Sequence, residues 1–171
     1  GKHHSAFLPI NDLAWVGFSI EIGPDGGVYI LDWHDTDICG NAINFPDSGR
    51  IYRVMPKNAK KIKRPNLSKL SDKELADMQN HPNDWYVRHA RVILHHRASE
   101  GILDKEVVGN SLLKLASSAK TSGKKLRALW AAHVTGLLTE KRKTELLNHE
   151  DEYVRAWTIQ LLCEDRKPSD E

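Results

Sequence analysis

Residues 18–55 read FSIEIGPDGGVYILDWHDTDICGNAINFPDSGRIYRVM, and the reading of this stretch decides the fold. Phe18, Ile20 and Ile22 alternate with Ser19 and Glu21, the period of two that marks a half-buried strand. Gly23-Pro24-Asp25-Gly26-Gly27 then supplies a tight turn, because Pro fixes φ, Asp bonds back to the backbone and Gly tolerates positive φ. A second strand is predicted from Val28 to about His34 and a third from Arg50 to Val54. Beyond residue 70 the period becomes helical, so the remainder of the chain does not extend this sheet.

The chain has 171 residues, 40% of them hydrophobic and 28% charged. That composition fits a folded globular chain and excludes a disordered one. No apolar run approaches the roughly 18 residues of a membrane span. No signal peptide is visible, since nothing near Gly1 has the basic-then-apolar layout of one. The net charge of +2 hides an uneven distribution. Residues 1–55 carry three Lys/Arg and seven Asp/Glu, residues 56–69 six Lys/Arg and no acid, and residues 70–171 sixteen of each. The basic block PKNAKKIKRPNLSK holds Pro56 and Pro65 and lacks apolar periodicity, so it reads as a linker. Phosphate or anionic lipid is the alternative contact for its lysines. No aromatic residue interleaves with them, which argues against a nucleic-acid partner.

Ser71-Asp72-Lys73-Glu74 is a capping-box pattern, with Leu70 and Leu75 placed for a hydrophobic staple, so a helix is expected from Ser71. His81-Pro82-Asn83 ends it. The next helix, from about Asp84, has Tyr86, Val87, Ala90, Ile93 and Leu94 along one stripe. A similar layout returns in Tyr153, Val154, Trp157, Leu161 and Leu162, and the turn Asn80-His81-Pro82-Asn83-Asp84 matches Asn148-His149-Glu150-Asp151. A looser copy, Lys125 to Trp130, follows a helix expected over 104–119. Six helices in three hairpins result, which is the mark of an α-solenoid.

Each copy carries an arginine, Arg88, Arg127 and Arg155, preceded by four residues in two copies by Asp84 and Asp151. Such an Asp can cap its helix while pairing with the arginine of its own or the next repeat. The pattern over residues 70–165 resembles the HEAT repeat, whose Asp and Arg side chains form a ladder between hairpins. Gly123 stands where the middle copy needs its Asp, so a broken rung is expected there. An anionic ligand is the alternative use of the arginines. His89, His95 and His96 lack the i, i+4 spacing of helical zinc sites and read as a solvated face, while Trp85, Trp130 and Trp157 read as core between repeats. Cys39 and Cys163 fit no metal or redox spacing and are expected as two lone thiols. With no C-x-x-C-H, a covalently attached haem is excluded within this chain.

Strict alternation from Val28 would place Val28, Ile30, Asp32 and His34 on one face and Tyr29, Leu31 and Trp33 on the other. Asp32 and His34 would then lie side by side, with Asp35 and Asp37 in the following loop. Two readings stay open for these four residues. They are candidate Ca²⁺ ligands, or Asp32 and His34 a general-base pair; alternatively they form turns and satisfied hydrogen bonds.

The three strands look like one piece of a β-propeller blade, which is not stable by itself. GPDGGVYILDWHD, followed after an insertion by GRIYRV, resembles the end of the propeller in the membrane-bound dehydrogenases of Planctomycetes and Verrucomicrobia. Those proteins are similar to glucose/sorbosone dehydrogenases in their propeller, continue into HEAT-like repeats and often end in a haem-binding C-x-x-C-H domain. The order here is similar from about Ile10 onward, through helical repeats opening with Asn83, Trp85, Arg88 and Ala90. Most of the propeller and the C-x-x-C-H motif are absent from this chain. The resemblance matches Asp32, Trp33, His34 and Arg50 to motif positions, and Trp33 and Arg50 are taken as cofactor-side candidates on that ground alone.

The expected fold is therefore α+β: a blade remnant over 1–55, a basic linker over 56–69 and three HEAT-like hairpins over 70–171. The resemblance implies the C-terminal segment of an extracytoplasmic, periplasmic propeller dehydrogenase acting on sugars or alcohols. It also implies that Ca²⁺ and a quinone belong to the full-length relative, and that this segment is inactive alone. Its partners would be the rest of the propeller and a haem-binding domain. The alternative is an interaction module whose HEAT surface docks a protein, with the strands as a cap.

Overall fold

A computed structural model of the chain describes residues 5, 8–36, 42–60, 62–164 and 166. It contains strands β1 (Gly17–Ile22), β2 (Val28–Asp32) and β3 (Arg50–Val54). Six helices follow: α1 (Asp72–Asp77), α2 (Asp84–Ser99), α3 (Lys105–Ser118), α4 (Ser122–Val134), α5 (Glu140–Leu146) and α6 (Glu152–Leu162). The α+β class expected from the two periodicities is what the structure has. Two compact units divide the chain, Gly1–Lys63 and Arg64–Glu171.

In the first unit the sheet is antiparallel in the order β1-β2-β3. The Gly23–Gly27 turn closes through Gly23 N–H to Gly27 C=O at 2.9 Å and Gly26 N–H to Gly23 C=O at 3.0 Å, with Gly26 at φ +75°. Asp25 accepts the Gly27 amide at 3.0 Å and the Tyr29 hydroxyl at 2.9 Å, and Arg53 meets the same carboxylate at 2.7 Å. The turn is thus tied to both β2 and β3. These donors, the Gly27 amide first among them, hold the Asp25 carboxyl down to about 2. β2 is shorter than the alternation predicts, ending at Asp32, because His34 takes φ +50° and leaves extended geometry. His34 therefore does not share a strand face with Asp32.

Residues directly opposite in this sheet share a face. Ile20, Ile30 and Tyr52 lie across from one another, as do Ser19, Leu31 and Ile51. Trp15 meets Tyr52 edge-on at 5.5 Å and, with Leu8 and Ile30, lines one surface pocket. Ile30 is the one buried apolar side chain of this unit among the described residues. Ile20 is 69% exposed on its face and Ile51 68% exposed on the other. Neither face is fully covered.

The second unit has a conventional core. Leu75, Tyr86, Ala90, Leu94, Val108 and Leu112 form one cluster, and Leu126, Leu129, Val154 and Leu161 a second. The Ser71–Glu74 capping box is present, and Leu70 and Leu75 both join the first cluster. Asn83, Asp104, Thr139 and Asp151 cap α2, α3, α5 and α6 through their side chains. Consecutive helices pack as α1 with α2, α3 with α4 and α5 with α6, and alternate ones as α1 with α3, α2 with α4 and α4 with α6. Trp130 and Trp157 meet edge-on at 4.9 Å beside the second cluster, while Trp85 flanks the first and stacks on His89 at 3.8 Å.

The match between α2 and α6 is set by their caps. Asn83 is the N-cap of α2, but Asp151, aligned in sequence with Asp84, is itself the N-cap of α6. Counted from the cap, Tyr86 and Val154 occupy the same third position, and Ala90 and Thr158 the same seventh; all four are buried. Tyr153 falls one residue earlier, about 100° around the helix, and is 57% exposed where Tyr86 is 3% exposed. The histidine two residues before each cap behaves alike in both turns: His81 Nδ1 accepts the Asn83 amide and His149 Nδ1 the Asp151 amide, each at 3.0 Å. Truncation should separate the two tyrosines. Tyr86→Ala is expected to cost about 3–5 kcal/mol and Tyr153→Ala no more than about 0.5 kcal/mol, measured by denaturant unfolding. Equal losses would mean that the repeat runs from Asp84 and Asp151 instead.

Candidate functional site

Asp32 sits at the end of β2, opposite Gly17 of β1 and Arg50 of β3. Its side chain is wholly buried. Oδ1 accepts the Val16 and His34 amides, both at 3.0 Å, and Oδ2 accepts Arg50 Nε at 3.0 Å. A buried carboxylate is tolerable only with such donors. Here they come from three separate stretches of chain, so Asp32 acts as a clamp on the open end of the sheet.

Arg50 continues the network, donating from Nη2 to Asp12 Oδ2 at 2.7 Å. Asp12 Oδ1 accepts the Ala14 amide at 3.0 Å, and Asp12 Oδ2 lies 3.2 Å from His34 Nε2. The Arg50 hydrogen bond, with help from the Ala14 amide, lowers the Asp12 carboxyl to about 2. A carboxyl depressed in the folded state contributes stability above its unfolded value, roughly 3.9. That contribution is lost as the pH falls from there through about 2. His34 Nδ1 lies 2.7 Å from Ser48 Oγ, which in turn is 2.9 Å from the Phe45 carbonyl and 3.3 Å from the His34 carbonyl.

Ser48, His34 and Asp12 follow the hydroxyl–imidazole–carboxylate order of a nucleophilic relay. Two features make the arrangement a latch. The single hydroxyl proton of Ser48 has two backbone carbonyls in reach, and Asp12 is already held by Arg50 at a shorter distance than by His34. Residues 12 and 48 escape a reading of the sequence because Asp before Ala14 and Ser in PDSGR look like ordinary turn formers. Their approach to His34 depends on long-range pairing that no local pattern encodes.

The sequence-predicted residues are only partly brought together. The Asp32 carboxylate meets the His34 amide, not its ring. Asp35 is buried and spends its oxygens on the Asn44 amide at 2.9 Å, the Asn44 side chain at 3.1 Å and the Phe45 amide at 3.2 Å. Trp33 is exposed beside Phe18. Asp37 and Cys39 lie outside the described residues. Among the described residues no group of three His, Cys, Asp or Glu side chains converges as a metal site would require, and the guanidinium on Asp32 opposes a cation there. Cys163 is a free, exposed thiol.

The three arginines singled out by their spacing, Arg88, Arg127 and Arg155, have protein partners. Arg88 pairs with Asp84 at 3.1 Å, and Arg127 reaches back to Asp84 at 3.1 Å and to the His81 carbonyl at 3.0 Å. Gly123 therefore leaves α4 without an acid of its own, yet Arg127 still finds one. Arg155 differs from the expected pairing with Asp151. It donates to the carbonyls of His149 and Glu150 at 2.7 and 3.0 Å, while Asp151 caps α6 and faces Lys125 at 3.6 Å. The physical reason is the cap shift: Arg155 is four residues past its N-cap and Arg88 five, so they leave their helices in different directions.

No protein-family model, curated protein or solved structure matches the chain. Among the described residues no helix is long and apolar enough to cross a membrane.

If Asp32 is a clamp, Asp32→Ala should expose the Val16 and His34 amides to hydrogen exchange and destabilise the first unit by roughly 2–4 kcal/mol. Ca²⁺ should leave wild-type exchange at these amides unchanged. Slower exchange with Ca²⁺ that is lost in the variant would instead make Asp32 a ligand.

Proposed function

We propose that this chain is the C-terminal segment of a propeller-type dehydrogenase, contributing part of a blade and a short solenoid of three HEAT-like hairpins. The parent enzyme acts on sugars or alcohols outside the cytoplasm, and its substrate, quinone and Ca²⁺ are held by blades other than this one. A haem-binding domain is the natural acceptor of its electrons. The observation that carries this reading is the exposure of Ile20 and Ile51 on opposite faces of one sheet. Blades in a propeller stack face to face, so each covers its neighbour's apolar side chains, and three strands alone leave them in water. The order of motifs from GPDGGVYILDWHD to GRIYRV supports the same assignment by resemblance. The hairpin reading is supported by the packing of consecutive helices together with that of α1 on α3 and of α2 and α6 on α4.

A second reading, a protein-docking helical module with the strands as a cap, is favoured by the well-packed second unit, which has its own core. The two readings differ in what the sheet is for. Under the first it awaits other blades; under the second it is complete.

Within the first reading Asp32, His34 and Arg50 brace the end of the sheet, and Asp12 and Ser48 brace them in turn. Positioning and preorganised charge supply most of a catalytic rate, and a propeller site draws them from several blades. The isolated chain is therefore expected to show no turnover of sugars or alcohols with an artificial electron acceptor, with or without quinone and Ca²⁺. Turnover that disappears in Asp32→Ala would overturn the assignment and make this chain an enzyme by itself.

A further inference from the structure

α3 packs on α1, but it does not pack on α5 in the same way. The space between them, over α4, is a cavity of about 490 Å³, within the usual size of small-molecule sites. Its walls are largely apolar, from Leu112, Leu113, Leu129, Leu138 and Leu146. The charged and titratable groups on its lining are all of one kind: Lys125, Arg142 and His149, with no carboxylate among them. Lys125 holds Glu150 at 3.0 Å and Asp151 at 3.6 Å, and Arg142 holds Glu145 at 2.8 Å, all three acids lying outside the lining. His149 is different. Its Nδ1 accepts the Asp151 amide, so in the neutral ring the proton is on Nε2, and that donor has no partner among the described residues.

An independent observation comes from α3. Gly109 stands inside this helix and on the cavity wall. A mid-helix glycine is unfavourable by roughly 1 kcal/mol relative to alanine. A Cβ at residue 109 would meet nothing within 4 Å, and its φ is not positive. Neither close packing nor backbone conformation calls for glycine here; its effect is to leave the cavity open on the α3 side.

We propose that the cavity between α3 and α5 binds a small amphipathic anion, a medium-chain carboxylate or a molecule of that chemistry. The hydrocarbon lies against the leucines of α3, α4 and α5, and the carboxylate accepts from His149 Nε2 and the remaining guanidinium donors of Arg142. A cationic head would find no carboxylate on the lining to receive it. The site belongs to the helical unit alone and stands apart from the propeller assignment of the sheet.

The test uses the whole chain and dodecanoate below its micellar concentration, followed by calorimetry and by the methyl resonances of Leu113 and Leu146. Saturable one-to-one binding is expected, with dodecyltrimethylammonium weaker by at least about tenfold, since hydrogen bonds to a charged group are lost. Gly109→Phe should fill the cavity and abolish binding without lowering the thermal midpoint of the helical unit, whereas Gly109→Ala should still bind. Should Gly109→Phe fail to fold, Leu113→Trp fills the same space from a half-exposed position. Three results would overturn the proposal: no saturable binding of dodecanoate, equal binding of the cation, or full binding by the filled variants. Displacement of nothing but an amphipathic helical peptide would assign the groove to a protein partner and equally reject it.

Discussion

A three-stranded sheet that carries isoleucines on both faces cannot cover itself. Among the described residues β1 and β3 each pair only with β2, and Trp15 packs on Tyr52 beside the one buried isoleucine, Ile30. Fully burying one such side chain is worth roughly 1.5–3 kcal/mol, so leaving Ile20 and Ile51 in water forgoes a large part of what a small sheet can gain. The constraint governs the rest of the first unit. With a core this thin, its shape rests on polar fastenings, and they sit at both ends of the sheet. Asp25 ties the β1–β2 turn to Arg53. Asp32, Arg50 and Asp12 tie the opposite end.

Those fastenings occupy the polar atoms of the residues that look catalytic in the sequence. A carboxylate whose oxygens already accept two amides and a guanidinium has little capacity left for a metal or a substrate proton. His34, pushed into the left-handed region, brings its ring to Asp12 and Ser48 and closes the connection before β3. In a complete propeller the same fastenings would hold this edge still while neighbouring blades pack over the isoleucines. The helical unit depends less on such fastenings, because it has two apolar clusters of its own.

Much of this was legible in the residues. The change of period from two to 3.6 separates sheet from helices, and Ser71 with Glu74 marks the first helix start to the residue. The features that escaped have a common origin in geometry set at a distance or by a single offset. The alternation that put His34 beside Asp32 assumed a strand that runs two residues too far; the Asp32 carboxylate stops it by taking the His34 amide. The Asp-Arg spacing at 84/88 and 151/155 is identical in sequence, yet the caps stand one residue apart, and Arg155 turns to its own turn carbonyls. Asp12 and Ser48 carry no local signal beyond turn propensity, so only the folded sheet shows that they share an imidazole. The cavity beside Gly109 depends on how far α5 lies from α3, and helix packing distances are not written in either helix.

The central claim is that the sheet belongs to a larger propeller, and the size of the native polypeptide tests it most directly. An antibody raised against the helical unit would be used to detect the protein in extracts of its source cells, and the band sequenced by mass spectrometry. The account predicts a polypeptide far larger than 19.4 kDa, with further strand–turn–strand segments preceding Gly1. A native band at 19.4 kDa beginning at or next to this N-terminus would contradict it.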